Sequence, residues 1–210
     1  MKKTILIACL GLVSLGLQAQ SISLAGEWNV ELGKSGSAFA KSKRVSQGEV
    51  NRAILPGTID TNHLGFAPKD TMETTHLTRL YAYKGAARYS RTINIPKDWK
   101  KKPVELFLER TRPTWVYVDG ELVDSCNFIS TPQRYLLPKK VKPGKHLLEI
   151  VVDNGIGVPE QVYGSSHAYT EDTQTNWNGI IGEIRLEVAN NSAEEPTEAI
   201  SLRRNARHVP

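Results

Sequence analysis

Cysteine is nearly missing from this sequence. Only Cys9 and Cys126 occur in 210 residues, and Cys9 lies in an N-terminal apolar run that reads as a leader. Cys126 is then alone, which excludes the disulfide framework of a small secreted domain. A nucleophilic role would require a histidine partner, and none stands near Cys126 in the sequence. A buried, inert thiol is the expectation. Histidine is scarce too. His63, His76, His146, His167 and His208 include no pair with the spacing of a zinc motif on one element, which argues against a transition-metal site. Aromatic residues make up 7% of the chain, and none interleaves with the lysines as a nucleic-acid stacking platform would need. Beyond residue 20 no apolar stretch approaches the roughly 20 residues that cross a bilayer. No internal repeat occurs, and no segment of useful length carries a 3.6-residue apolar period.

Hydrophobic residues account for 40% and charged residues for 23%, with a net charge of +5. A chain of this length can bury a core without disulfides or metals. The mild positive excess is carried partly by Lys97, Lys100 to Lys102, Lys139, Lys140, Lys142 and Lys145. Most flank Pro or Gly, so they read as strand-end and turn lysines on a solvated face. The alternative for them is a phosphate-binding patch.

Residues 1–19 have the parts of a secretory signal peptide. Lys2 and Lys3 supply the positive start, Ile5 to Leu17 form an apolar run, and Gln18-Ala19-Gln20 breaks it. Cleavage is expected after Ala19, giving an exported, periplasmic or extracellular protein with no membrane partner. Leu6-Ile7-Ala8-Cys9 resembles a lipoprotein box, but the apolar segment continues past Cys9.

The body alternates with a period of two, the signature of half-buried strands. Trp28, Val30 and Leu32 alternate with polar residues. So do Tyr89, Arg91, Ile93 and Ile95, with Pro96 ending the strand. Val104, Leu106 and Leu108 alternate with Glu105, Phe107 and Glu109. Trp115 to Val118 leads into Asp119-Gly120, a strong two-residue hairpin signal, with Glu121-Leu122-Val123 as the return strand. His146 to Val152 is a β-branched run between Pro143-Gly144 and Asn154-Gly155. Ile184, Leu186 and Val188 alternate in a last strand. Short strands with such punctuation predict an all-β, antiparallel sandwich or barrel. Two stretches do not alternate, from about Gly57 to Lys84 and from about Gly155 to Asn178, and long loops of this kind gather at a sandwich end, where a ligand is sought.

Six pieces in order are similar to one family. Leu24-Ala25-Gly26-Glu27-Trp28 resembles its opening element, Leu55-Pro56-Gly57-Thr58 its first turn, and Tyr89 to Trp99 its arginine-containing strand. Val116 to Gly120 is similar to its hairpin. Pro143 through Asn154 and Asn178 to Ile184 are similar to its two closing strands. The family is glycoside hydrolase family 2, whose members include β-galactosidases, β-mannosidases and β-glucuronidases. The resemblance covers about residues 22–190. It implies an antiparallel jelly-roll β-sandwich of the galactose-binding-domain-like type, the family's non-catalytic N-terminal module. In the family an immunoglobulin-like domain and a catalytic barrel follow. Neither fits in residues 191–210, which read as a linker and tail, and the family's Asn-Glu acid/base motif does not occur. The expected function is to help shape the substrate cleft of a secreted glycosidase, with an oligo- or polysaccharide as partner. The alternatives are a free-standing carbohydrate-binding module and a structural or adhesive sandwich.

Catalysis within this chain would need two carboxylates about 5–5.5 Å or about 6.5–9.5 Å apart. Glu171 and Asp172 are sequence neighbours, and Glu105 and Glu109 would lie about 13 Å apart on one strand face, so no catalytic residue is expected. No cofactor is expected either. Asp153, Asn154, Glu171 and Asp172 could alternatively supply oxygens to a structural calcium. The segment from Thr170 to Gly179 is dense in side chains that bind sugars: amides and carboxylates take hydroxyls, and an indole takes the C–H face. The family resemblance implies Asp172, Asn176, Trp177 and Asn178 as carbohydrate-binding residues. Other readings stay open: a core anchor for Trp177, and turn capping for Asn176 and Asn178. Trp28, Trp99 and Trp115 are expected in the core, and Asp60 to Gly65 form a second candidate surface.

Overall fold

The computed structural model describes residues 20–36, 39–40, 50–67, 72, 79–156 and 176–189. They contain eleven strands. In chain order these are β1 (Ser21–Ser23), β2 (Gly26–Gly33), β3 (Asn51–Leu55), β4 (Gly57–Thr58), β5 (Ala86–Ile95), β6 (Val104–Thr111), β7 (Thr114–Val118), β8 (Glu121–Cys126), β9 (Gln133–Leu136), β10 (Gly144–Asp153) and β11 (Gly179–Val188). All pairings are antiparallel. One sheet runs β1-β11-β6-β9, with β4 on the end of β11, and the other runs β3-β2-β5-β10-β7-β8. The expected antiparallel β-sandwich is what the chain forms.

Period-two alternation builds the layer between the sheets. Trp28 and Val30 of β2 meet Tyr89 and Ile93 of β5, Leu148 and Ile150 of β10, Leu106 and Leu108 of β6, and Ile184 and Leu186 of β11, all at most 4% exposed. Trp99 closes the core from the short 3₁₀ turn Lys97–Trp99. Trp28 and Trp99 are core residues as expected, whereas Trp115 is only partly buried and packs on a second cluster.

The β-branched run of β10 does not alternate because both of its faces are covered. Its outer face carries Glu149 and Val151, each at most 3% exposed. Residues 39–40 lie over that face. Arg88 pairs with Glu149 at 3.3 Å, and its other nitrogen donates to the Phe39 and Ala40 carbonyls at 2.8 and 3.3 Å. Tyr117 Oη donates to Ala40 O at 2.6 Å.

Arg91 stands at a core-facing position of β5 and remains polar there. Its guanidinium donates to Leu24 O at 2.9 Å and to Ala25 O at 3.1 Å, and lies over the Trp28 ring. Phe107, on the outer face of β6, is covered by the guanidiniums of Arg134 and Arg185. Cys126 is partly buried and free, and burial pushes its thiol up.

Candidate functional site

The described ends of both non-alternating stretches meet at one end of the sandwich. Register brings Gly33, Ala86 and Asp153 side by side across β2, β5 and β10. Gly179 of β11 pairs with Thr58 of β4 on the facing sheet. Residues 176–178 therefore enter β11 beside the chain that leads into β5.

Three asparagines knit this end together. Asn154 Oδ1 accepts from Gly85 N at 2.9 Å, while its Nδ2 donates to Tyr83 O at 2.8 Å and Asn176 O at 2.6 Å. Asn176 Nδ2 donates to Asn154 O at 2.9 Å. Asn178 Nδ2 donates to Gly85 O at 2.9 Å and Val152 O at 3.0 Å, and its Oδ1 faces Tyr89 Oη at 3.5 Å. These side chains replace the ladder hydrogen bonds that loop backbone would otherwise lack.

The expectation that Asn176 and Asn178 present amides to a sugar is corrected by this packing. They are 3% and 1% exposed, and the Asn178 amide is fully engaged with the chain itself. The turn-capping alternative is nearer, though the partners include carbonyls of two other strand ends. Asn176 keeps one free function: its Oδ1 is buried and has no hydrogen-bond partner among the described residues. A buried acceptor left unmatched is costly, on the order of 1–3 kcal/mol.

Trp177 is partly exposed. The Arg112 guanidinium lies 4.7 Å from its ring centroid, and Arg112 Nε donates to Trp177 O at 3.2 Å. Arg112 is 5% exposed, so this cation–π contact is largely desolvated and holds the indole in place. Asp172, the remaining expected sugar contact, lies outside the described residues, as does Glu171.

Tyr83 completes the frame. Its Oη lies 2.8 Å from Gly33 O and 2.7 Å from Ala86 O, and accepts from Gly33 N at 3.0 Å. Burial pushes its pKa up to about 12, opposed by the Gly33 amide and aided by the Asp153 charge. The phenol therefore remains protonated at neutral pH. Tyr83, Arg112 and Asn154 were not singled out as sugar-site residues in the sequence. Only the Val152-Asp153-Asn154 motif carried a signal, and it pointed to a calcium alternative.

Asp153 is fully buried, with Oδ1 accepting from Ser35 Oγ at 2.9 Å and Gly155 N at 2.8 Å, and Oδ2 from Gly36 N at 2.7 Å. Donors of the chain thus meet both oxygens. Of the carboxylate pairs weighed for catalysis, Glu105 is paired with Arg134, and Glu109 Oε2 accepts from Glu183 N at 2.6 Å. The Asp60–Gly65 candidate is also inwardly satisfied. Asn62 bridges Ile54 N and O and Thr58 O, Asp60 accepts from Tyr81 N, and His63 stacks on Tyr81.

No family model matches the sequence, and no curated protein matches it. Solved structures do resemble the fold. A GH2 β-galacturonidase from Eisenbergiella tayi superposes with a TM-score of 0.54 at 23% identity over 82% of this chain and 25% of its own. An uncultured Clostridium sp. β-glucuronidase gives 0.58 at 17% identity, over 83% of this chain and 30% of its own. The Faecalibacterium prausnitzii β-glucuronidase gives 0.56 at 18%, over 83% and 32%. The chain spans about a quarter to a third of these glycosidases, and at such identities the likeness is one of fold: an antiparallel sandwich equivalent to part of a glycosidase.

Proposed function

We propose that this chain is a non-catalytic, carbohydrate-facing module of the glycoside hydrolase family 2 type, exported by residues 1–19, acting with a catalytic barrel supplied outside these residues. The observation that carries this reading is the superposition itself. More than four fifths of the chain matches glycosidases of which it spans only 25–32%. The partly exposed Trp177, held by Arg112, supports a polyol-facing rim at the end where the long stretches meet. Phe66 and Leu80, 74% and 60% exposed on the described part of one such stretch, suit contact with another domain. Neutral hexoses, or the uronides handled by the neighbours, are the substrate classes in view.

The purified chain, assayed on a panel of aryl glycosides, should show no turnover. Turnover that persists through repeated purification and co-elutes with the folded chain would end the non-catalytic reading.

A free-standing carbohydrate-binding module is the second reading, favoured by the partly exposed Trp177. One stacked ring is worth about 0.5–1.5 kcal/mol beyond burial, so affinity for an isolated sugar should be on the order of 1 mM or weaker. Titration against glycans separates the two: micromolar binding abolished by Trp177→Ala favours the second.

A further inference from the structure

Three turns far apart in sequence converge at the end of the sandwich opposite the Asn176 rim. Residues 96–103 join β5 to β6, Asp119-Gly120 closes the β7–β8 hairpin, and residues 137–143 join β9 to β10. Register fixes their meeting: Ile95 pairs with Gly144, Glu105 with Leu136, and Val118 with Leu148. The first turn brings Lys97, Lys100, Lys101 and Lys102. The third, with the first residues of β10, brings Lys139, Lys140, Lys142 and Lys145. All eight are exposed. Read along the chain they are scattered turn lysines; in the fold they form one cap.

Few acidic groups stand among them. Glu121 pairs with Lys140, Asp119 contacts His146, and Asp98 faces Gln20. Lys102 and Lys142 donate to Gln20 Oε1 and Lys139 O. Lys97, Lys100, Lys101, Lys139 and Lys145 have no ion pair among the described residues. The layers are about 10 Å apart and neighbouring strands about 4.8 Å, so the turns that carry these lysines are spaced by distances comparable to the screening length of about 8 Å in physiological salt. They repel one another unless an anion bridges them.

The cap's composition limits what that anion can be. Within the turns the apolar residues point inward: Trp99 is 4% exposed and Val141 packs against the core, while the exposed Leu122 and Leu136 stand singly on the flanking strands β8 and β9. The described turns themselves hold no continuous apolar face of the kind that enters a bilayer. The three turns hold no arginine for bidentate phosphate recognition and no exposed aromatic ring for base stacking. What remains is an array of exposed point charges, matched to a water-soluble polymer with spaced anionic groups.

We propose that this lysine cap binds an anionic polysaccharide, one bearing carboxylate or sulfate groups on successive units. The choice of a polysaccharide among soluble polyanions rests on the carbohydrate reading above; the cap itself does not. Binding is driven by release of counterions and is strongly salt-dependent.

The test measures binding of the purified chain to polygalacturonate by affinity electrophoresis and titration, with dextran as the neutral control. Binding should fall by about tenfold or more between 50 and 200 mM salt, as release of a few counterions requires. The triple variant Lys100→Glu/Lys139→Glu/Lys145→Glu should lose it. Lys34→Glu and Arg110→Glu, toward the far end, should retain it, and a melting curve establishes that each variant folds. Unchanged binding by the triple variant overturns the proposal. So does equal binding to duplex DNA, or binding to phosphatidylglycerol vesicles without binding to polygalacturonate. Trp177→Ala is measured in parallel and should keep its polygalacturonate binding: loss there would put the polyanion at the rim and overturn the cap, whereas binding kept there while aryl-glycoside turnover appears in the purified chain would overturn only the non-catalytic reading.

Discussion

His146 sits where an imidazole has to be charged. Its Nδ1 lies 2.6 Å from Asp119 Oδ2 and its Nε2 lies 2.6 Å from Lys142 O. Both partners are pure acceptors, so both ring nitrogens carry hydrogen. Asp119 occupies the left-handed region at φ 52° in the hairpin turn and also accepts from Leu147 N at 2.9 Å. The imidazolium thus ties the β7–β8 turn to the β9–β10 turn. Burial disfavours its charge, but the Asp119 carboxylate and the Lys142 carbonyl outweigh that and raise its pKa above 6.5. Hydrogen bonding to His146 in turn holds the Asp119 carboxyl below 3.8, against a smaller opposing effect of burial. Because the folded His146 value is raised, its stabilisation is complete below pH 6.5 and disappears as pH rises through the folded value. The Asp119 contribution has the opposite sense, present above 3.8 and lost as pH falls through its depressed value. The clamp is therefore strongest between those two limits.

A hydrogen bond to a charged group is worth about 1.5–3 kcal/mol when sheltered. The Asp119 side chain is 53% exposed, and solvent screening reduces the contribution to about 0.5–1 kcal/mol. For a domain of this size that is a shift of about 1–4 °C. Thermal melts followed by circular dichroism should place His146→Gln about 1–4 °C below the parent at pH 5.5, with the gap narrowing as pH rises through the raised His146 value. A gap that does not change with pH, or a variant more stable at pH 5.5, would refute the argument.

Other perturbations should act on the core and the rim. Arg88→Met leaves Glu149 buried without its cation and should cost about 3–5 kcal/mol in urea unfolding, whereas Arg88→Met/Glu149→Leu should recover most of the loss. Asn178→Ala strips the amide from the Gly85 and Val152 carbonyls and opens a void, with an expected loss of about 2–4 kcal/mol. Gly179 has φ 152°, and a Cβ there would come within 2.3 Å of Gly57 O. Gly179→Ala should therefore destabilise by at least about 1–3 kcal/mol, with hydrogen exchange increased at Thr58 and Ile180.

The strands that alternate cleanly in sequence, such as Val104 to Leu108 and Ile184 to Val188, are the ones found, since an in–out pattern needs only neighbouring residues to be read. The Asp119-Gly120 hairpin was legible for the same reason. β9 was not. Its inward positions are Gln133, 2% exposed and bonded to Thr114, Arg112 and Phe128, and Tyr135. A glutamine reads as an exposed residue until partners from three other places surround it. The outer face of β10 was hidden likewise, because the burial of Glu149 depends on Arg88 and residues 39–40, which lie far from it in sequence.

At the rim, the sequence picked out a stretch with the right chemistry and left undecided which amides serve the ligand and which serve the chain. Asn178 and most of Asn176 serve the chain, because β5, β10 and β11 end side by side and their terminal carbonyls need donors. What the amino-acid order determines alone is local: the period of two, the turn chemistry and the shortage of cysteine, all of which follow from near neighbours. What tertiary structure decides is convergence. The asparagine network of residues 154, 176 and 178 at the rim and the eight lysines at the other end arise from residues tens of positions apart, and only strand register brings such residues within reach of one another.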